Sequence, residues 1–591
     1  MVALNKKIKT RWYLIIILVI GIFITIPQIH HHITIIGADG LFHFNRIYDT
    51  AMQIKNHNFS YFIQLYGFSN SGRMVTSVYS PLITYIFGGI LLICGSFYKF
   101  EIVTRFLFFI LSGLSMNYAL KMGKVKNQFM IQLVCIMYAF SPAVIRWDAA
   151  QNFTSIGAML IPLVVGCGIR MVNNKDEPIN WVQLGTIMAV VVQTHLATAI
   201  QSVFLLVIYA TIALIINRAS RKNLLKNGIY AVLLCISLSL NVVAGMFELY
   251  NGNYIVPIVK FDFVDGKGIY NILQTFSGKW VNLFFILAVS STLLFFFKKI
   301  PLAMKITGFL SLTLFLCSTT IIIDWPTIMH DSAVFSSLLQ FPARLVGPAT
   351  VLALITVASI GDFECTNFFI KQIRDGLILA LLLFLVVNMR SNFRYNRSTS
   401  HNVLISKSTT IPYIGRDPKT LKHITYLMKQ PLNEQDINYI TKSTSDYMPA
   451  NHSIDNSAYW DYNNKIIQPT KNKNYKKEVA QHKIIVTWKG NGTYDNPPVA
   501  YYKNNHFKLN GLPVIPRSSG GIIKVPKVKG KIGKNVMEVT YTPKKVSVMM
   551  LWIAMLSWIS IVFYVFIRLF RQVKRSFLFS NLNLHFKCNT N

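Results

Sequence analysis

Charged side chains are scarce in this chain: 14% of its 591 residues are Asp, Glu, Lys or Arg, against about 25% in soluble globular proteins. Polar surface on that scale cannot cover a water-soluble fold, and 52% of the residues are hydrophobic, with mean hydropathy +0.42. An ordinary cytosolic enzyme, a fibrous protein and a disordered protein are excluded together. Acidic residues are rarest, 23 Asp+Glu against 59 Lys+Arg, for a net charge of +36. The basic excess sits at the edges of apolar runs and in one polar segment. Anionic lipid and anionic cell-surface polymer are therefore the expected partners, and nucleic acid is not.

Cysteine is sparse and scattered: Cys94, Cys135, Cys167, Cys235, Cys317, Cys365 and Cys588, with no CxxC and none between 390 and 545. That polar segment thus has no disulfide framework and no zinc site of the cysteine type. No P-loop and no Rossmann glycine pattern occurs, so neither ATP-driven transport nor dinucleotide chemistry is supported.

Apolar runs are what the sequence has in quantity. Lys6, Lys7, Lys9 and Arg11 precede Trp12-Tyr13 and an apolar stretch to Ile29, long enough for a membrane helix with its start in the cytoplasm. No small-residue cleavage site follows, so it reads as a retained anchor. Further runs fall near 81–97, 102–120, 128–143, 155–173, 181–216, 227–249, 281–298, 302–323, 345–361, 371–389 and 547–567. The 181–216 run suits two short helices broken near His195. Arg568, Arg571, Lys574 and Arg575 after the last run put the C-terminus in the cytoplasm as well. Lys121, Lys124 and Lys126 favour the inside where strict alternation places them outside. Either 81–97 does not cross fully, which is the preferred reading, or these lysines sit at an outer surface.

The reading is an all-α polytopic membrane bundle of about 12 spans in the cell membrane, over 1–389, with a first outer loop at 30–80. Segment 390–545 is then extracytoplasmic, and 546–591 forms a last transmembrane helix and a basic cytoplasmic tail. The runs KIIVTW (483–488), PVAYY (498–502), GIIKV (521–525) and NVMEVTYT (535–542) alternate with Gly, Asn and Pro turns, which predicts a small β-rich domain. With 25 Lys+Arg and 9 Asp+Glu across 391–545, that domain suits an anionic envelope polymer such as a teichoic acid, bound in a salt-sensitive way.

The chemistry concentrates in the first outer loop, GADGLFHFNRIYDTAMQIKN and then YGFSNSGRMVTSVYSPLITYIFG. Asp39 and His43 are four apart, so a helix puts them on one face, and Arg46 continues it. A carboxylate, an imidazole and a guanidinium near a bilayer can serve as base, metal ligand and phosphate clamp; the alternative is an interfacial amphipathic helix. Asp148 beside Arg146 suits an interfacial ion pair as well as a site. His195 inside an apolar run suits packing or function, and Arg344 suits snorkelling or a site. The run His30-His31-His32, and Asp324 with His330 and Asp331, have metal-ligand chemistry but sit at span ends.

These motifs in order resemble the GT-C superfamily of membrane glycosyltransferases, which use polyprenyl-phosphate-linked sugars. More closely they resemble bacterial multi-pass membrane proteins labelled 6-pyruvoyl-tetrahydropterin synthase-related, a label that implies no pterin chemistry. The resemblance rests on Asp-x-x-x-His with Arg after the first span, the Gly-rich loop into YSPLITY (79–85), SPAVIRWD (141–148), QTHLAT (193–198), LQFPAR (339–344) and DYMP (446–449). After Asp148 the family's usual Arg and Glu are replaced by AAQNFTSIGA, and Ala343 stands where an aromatic is usual.

The resemblance implies Asp39 as catalytic base or metal ligand with His43 beside it, and Asp148 as a second acid. Arg46, Arg73, Arg146, His195 and Arg344 are the implied contacts to lipid phosphate or sugar. The implied partners are membrane lipid and a polyprenyl-phosphate sugar donor. The cofactor is left open, a divalent metal ion on Asp39 and His43 being one option. The implied activity is transfer of a sugar from that donor to a cell-envelope acceptor on the outer face. Two rivals stand beside it: a lipid or polysaccharide transporter or flippase, and a non-catalytic envelope assembly factor that kept the fold.

Overall fold

The computed structural model describes residues 2–37, 39–258, 281–320, 322–332, 339, 342–395, 403–405, 418–433, 437–438, 442–472 and 474–588. Two residues of the LQFPAR run, Gln340 and Phe341, fall outside them. Helix α1 (Val2–His30) leads through β1 (Thr34–Ile36) into α2 (Gly40–Lys55), and a long loop then reaches α3 (Pro81–Cys94). Helices α4 (Phe97–Met122), α5 (Gln128–Ala139), α6 (Pro142–Ala150), α7 (Phe153–Asn173), α8 (Trp181–Val192), α9 (Leu196–Ile216) and α10 (Arg221–Tyr250) follow. After β2 (Tyr254–Ile255) come α11 (Val281–Phe296), α12 (Leu302–Cys317), the short α13 (Trp325–Asp331), α14 (Val346–Ala358) and α15 (Phe368–Tyr395).

Helix boundaries follow local chemistry. Pro81 and Pro142 open α3 and α6 at a position where no amide hydrogen is needed. Asn127, Asn152 and Asn180 side chains accept from the first free amides of α5, α7 and α8. His195 caps α9 in the same way, which produces the break expected near it.

Among the described residues, six helices are long and apolar enough to cross a bilayer: Phe97–Met122, Phe153–Asn173, Leu196–Ile216, Arg218–Tyr250, Pro342–Asp362 and Lys545–Arg571. Counting α5 and α6 as one span bent by 46° makes seven. Five further apolar helices, including α3, α8, α11 and α12, are shorter than 18 residues. The sequence count of about 12 is not reached: among the described residues six helices, or seven with the bent pair, are long enough to span. At 14 residues, α3 extends roughly 21 Å, less than a hydrocarbon core of about 30 Å.

Small residues allow close helix crossings, as bilayer packing favours. A Cβ on Gly166 of α7 would meet the Tyr118 ring of α4 at 2.6 Å, and one on Gly185 of α8 would meet the Ala231 carbonyl of α10 at 2.8 Å.

Strand β3 (Val403–Ile405) pairs in parallel with β1. Helix α16 (Pro418–Lys429) and β4 (Pro449–Ala450) follow, and β4 pairs antiparallel with β2. The remaining strands are β5 (Tyr475–Ala480), β6 (Lys483–Asn491), β7 (Tyr494–Asp495), β8 (Asn505–Leu509), β9 (Leu512–Val514), β10 (Arg517–Ser518), β11 (Pro526–Lys529) and β12 (Ile532–Tyr541), before the last helix α17 (Lys545–Cys588). Five of them form an antiparallel sheet in the order β5-β6-β12-β8-β9. Ile484, Val486 and Trp488 of β6 face Met537 and Val539 of β12 in its buried layer, the period-2 pattern read from the sequence.

The runs PVAYY and GIIKV are a correction, because neither is a strand. Val499, Ala500 and Tyr502 are buried under loop 56–80 instead, where the Ala500 amide donates to the Ser71 carbonyl at 2.7 Å. Ile523 makes a single bridge to Ala450.

The sheet is fastened to the helices at two places. Lys477 Nζ donates to the carbonyls of Pro498 (2.8 Å) and Ser69, and the Met74 amide donates to the Tyr502 hydroxyl at 3.0 Å. At the other place, Glu248 near the end of α10 accepts from Asn504 Nδ2 (3.0 Å), the Lys544 amide (2.9 Å), Tyr541 Oη and Ser547 Oγ. Cys94, Cys135, Cys167, Cys235, Cys317 and Cys365 are free thiols.

Candidate active site

The GADG segment lies against the end of α6. The Asp39 amide donates to the Ala150 carbonyl at 3.1 Å, and the Gly37 amide to Gln151 Oε1 at 2.5 Å. A Cβ on Gly37 would stand 2.1 Å from the Ala150 carbonyl carbon, so only glycine permits the approach. Ala150 and Gln151 thus supply the backbone carbonyl and the side-chain oxygen against which the GADG segment is set.

Asp39 occupies the N-cap position of α2, yet its side chain makes no cap hydrogen bond. The carboxylate is half-buried and within electrostatic reach of three cations. Burial raises its pKa above the ordinary value, and Lys442, Arg146 and Arg344 pull in the opposite direction.

One turn further, His43 is buried and stacked on Phe153, with ring centroids 4.1 Å apart. Arg46 Nη1 lies 3.0 Å from His43 Nδ1. A guanidinium only donates, so Nδ1 accepts and the imidazole proton sits on Nε2. Burial, then the charges of Arg46, Lys442 and His195, hold the His43 pKa well below its usual value. Arg46 also donates to the Tyr79 carbonyl and to Thr84 Oγ1 (2.8 Å), and stacks on the Tyr79 ring at 4.7 Å. Burial brings its own pKa down to about 10, which leaves it charged at neutral pH.

Arg146 and Arg344 line a cleft of about 50 Å³ with Thr154, Thr198 and Gln201, walled by apolar residues such as Ile161 and Val346. His195 lies behind it, bonded to two of its lining residues. The Thr198 amide donates to His195 Nδ1 at 3.2 Å, and Nε2 lies 3.4 Å from Thr154 Oγ1. His195 is therefore first a helix cap, with its proton directed at Thr154.

Arg73 and Asp148 are placed differently from the sequence expectation. Arg73 is fully buried; it donates to the carbonyls of Thr444 (2.8 Å) and Asp446 and stacks on Phe68 at 4.4 Å. It ties loop 56–80 to segment 442–448 and does not open toward the cleft. Asp148 pairs with Arg105 of α4, Nε to Oδ2 at 3.1 Å, and not with Arg146. A charged residue inside the apolar run 102–120 was the available signal for that pairing.

Two residues not assigned from the sequence join the cluster. Lys442 acts on Asp39 and His43, and the charge of Asp39 in turn acts on Asp446. Asp446 lay in the DYMP motif without a role, and Lys442 carried no sequence signal. His330 and Asp331 pair with each other on the surface, at 2.9 Å.

The donor set does not fit a divalent metal. Among the described residues no three His, Cys, Asp or Glu side chains group as ligands. His43 Nδ1 is engaged by Arg46, and Asp39 faces three cations, an environment that suits an anionic ligand.

No family model matches the chain, and no curated protein matches it. It is similar to two solved structures of the oligosaccharyltransferase of Archaeoglobus fulgidus, one in the apo form and one, AglB, with an inhibitory peptide and a dolichol-phosphate. Identity is 9% in both, with TM-scores of 0.41 and 0.39 over 75% and 76% of this chain. The chain spans 61% of the length of those structures. Similarity at this level assigns no activity.

Proposed function

We propose that the chain is a multi-pass membrane glycosyltransferase of the GT-C type, which moves a sugar from a polyprenyl-phosphate donor to a cell-envelope acceptor. The observation that carries this reading is the Asp39 carboxylate faced by Lys442, Arg146 and Arg344, two of which line an apolar-walled cleft. A lipid-linked sugar phosphate has the complementary parts: an apolar tail, an anionic phosphate and an electrophilic anomeric carbon.

In this reading an acceptor hydroxyl attacks the anomeric carbon while Asp39 takes its proton. The bond from that carbon to the phosphate oxygen breaks, and its electron pair leaves with the polyprenyl phosphate. Arg146, Arg344 and Lys442 stabilise the charge gathering on the leaving phosphate. Positive charge developing at the sugar ring is stabilised by the nearby carboxylate. His43 is held neutral, with one N–H to offer a ligand oxygen. Both termini are then cytoplasmic, and the basic segment 390–545 faces the outside, where an anionic envelope polymer is its partner.

The test is transfer of radiolabelled sugar from a panel of polyprenyl-phosphate sugars to envelope extract, with purified protein in lipid and wild type beside Asp39→Asn. Transfer by wild type and its loss in the folded variant support the reading; undiminished transfer by Asp39→Asn sinks the role of Asp39. A second reading, an assembly factor without catalysis, draws on one observation: Asp148 is engaged by Arg105 and does not line the cleft. It predicts normal surface glycans in cells that carry Asp39→Asn.

A further inference from the structure

Segment 445–448 is a turn that its own residues would not choose. Tyr447 has φ +64°, left-handed backbone that a bulky side chain rarely adopts and that persists only where the surroundings impose it. They do so here from four directions. The Tyr447 amide donates to the Val256 carbonyl at 3.0 Å, and the Met448 amide to the Ser445 carbonyl at 3.1 Å. The Tyr502 hydroxyl donates to the Tyr447 carbonyl at 2.8 Å, and Arg73 donates to the carbonyls on either side of Ser445.

The product of this constraint is the position of Asp446. Its Oδ1 is buried without a hydrogen-bond partner, whereas buried polar atoms are almost always paired. Two charges of the site, Lys442 and Asp39, act on the carboxylate together with the structural Arg73. Burial, with a smaller push from Asp39, raises its pKa to about 6 against the pull of Arg73 and Lys442. An unpaired carboxylate oxygen within electrostatic reach of Asp39 is an acceptor waiting for a donor, and a hydroxyl group supplies one.

We infer that Asp446 is the acceptor-binding carboxylate of the site, and that it holds a hydroxyl of a sugar or polyol acceptor beside Asp39. The inference rests on the glycosyltransferase reading for the word acceptor, and on the geometry alone for the hydroxyl-binding subsite. Segment 442–448 then recognises the acceptor, while Asp39 serves the attacking oxygen and Arg146 and Arg344 serve the donor phosphate. Asp446 takes part in no bond-making; it accepts one hydrogen bond from a hydroxyl that does not react.

The experiment uses the full chain in nanodiscs, as wild type, Asp446→Asn and Asp446→Glu. Sugar transfer is measured against acceptor and donor concentration separately. The expected result is an acceptor KM raised at least about tenfold in Asp446→Asn, a donor KM within about twofold, and partial recovery in Asp446→Glu. An unchanged acceptor KM, or a rise in donor KM instead, overturns the inference and leaves the glycosyltransferase reading standing. In parallel, equilibrium dialysis measures binding of radiolabelled methyl glycosides and glycerol without turnover. Binding by wild type that is lost in Asp446→Asn supports the subsite even if no donor is turned over. Absence of binding by wild type, or equal binding by both proteins, overturns it.

Discussion

Arg46 Nη1 sits 3.0 Å from His43 Nδ1, and this one contact sets the protonation state of the imidazole. A permanent cation that can only donate forces the facing nitrogen to accept. His43 is thereby a neutral group with a fixed tautomer, held in place by the Phe153 ring beneath it.

Replacement of Arg46 by Gln removes that cation. The His43 pKa is expected to move up toward its usual value, because one of the charges that lowers it is gone. NMR of histidine-labelled protein reads the change: wild-type His43 stays neutral at pH 6, and in Arg46→Gln it takes up a larger fraction of a proton. Identical titration of the two proteins contradicts the assignment.

Asp49 of α2 gives a pH dependence of stability. It accepts from the Tyr66 amide at 2.8 Å and from Gln53 Nε2 at 2.7 Å, yet burial still raises its pKa to about 6. An acid with a folded pKa above its unfolded value binds protons more tightly when folded. Its contribution therefore favours the fold below about pH 4 and is lost as the pH climbs toward 6, by roughly 3 kcal/mol at most. Thermal unfolding between pH 4 and 7 should show a smaller fall in Asp49→Asn than in wild type.

Gly37→Ala tests how closely Asp39 must be set. The added methyl meets the Ala150 backbone at 2.1 Å, so the GADG segment has to shift. Transfer activity is expected to fall at least about tenfold, and displacement of a reacting group by about 1 Å can cost a hundredfold. The same change should lower the melting temperature by only a few degrees. Full activity in Gly37→Ala means that Asp39 tolerates displacement and is not a reacting group.

Asp148 separates a structural ion pair from a site role. Asp148→Asn leaves the buried Arg105 without its carboxylate, and a loss of about 3–5 kcal/mol is expected. The double variant Arg105→Met with Asp148→Leu removes both charges and should recover most of the stability. If the pair is structural, that double variant also retains transfer. Loss of transfer in a well-folded double variant restores Asp148 to the chemistry.

Local signals in the sequence reached far in some places and stopped short in others. Ser80-Pro81, Ser141-Pro142 and the break at His195 are set by neighbours within a few residues, and the helices begin where those residues say. The alternation in β6 and β12 was equally plain, because one face of each strand is buried in its own sheet. PVAYY misled since its apolar side chains are buried by loop 56–80 and not by strand neighbours. Asp39, His43 and Arg46 were legible as a helical face. Lys442 and Asp446 were not, because hundreds of residues separate them from that face and no periodicity spans such a distance. Arg105 stood out as a charge inside an apolar run, but its partner, on another helix, could not be read from the sequence.

The hydrogen bonds of Arg73 also place the site in time. Its acceptors, the carbonyls of Thr444 and Asp446, lie 371 and 373 residues further along the chain. At a synthesis rate of about 10 residues per second, Arg73 waits on the order of half a minute for them. Through that interval α2 and its loop stand without their cover, and the guanidinium without its acceptors. Completion of the site thus waits for segment 442–448, and a ribosome that stops before residue 442 leaves a bundle that has Asp39 but neither Lys442 nor Asp446.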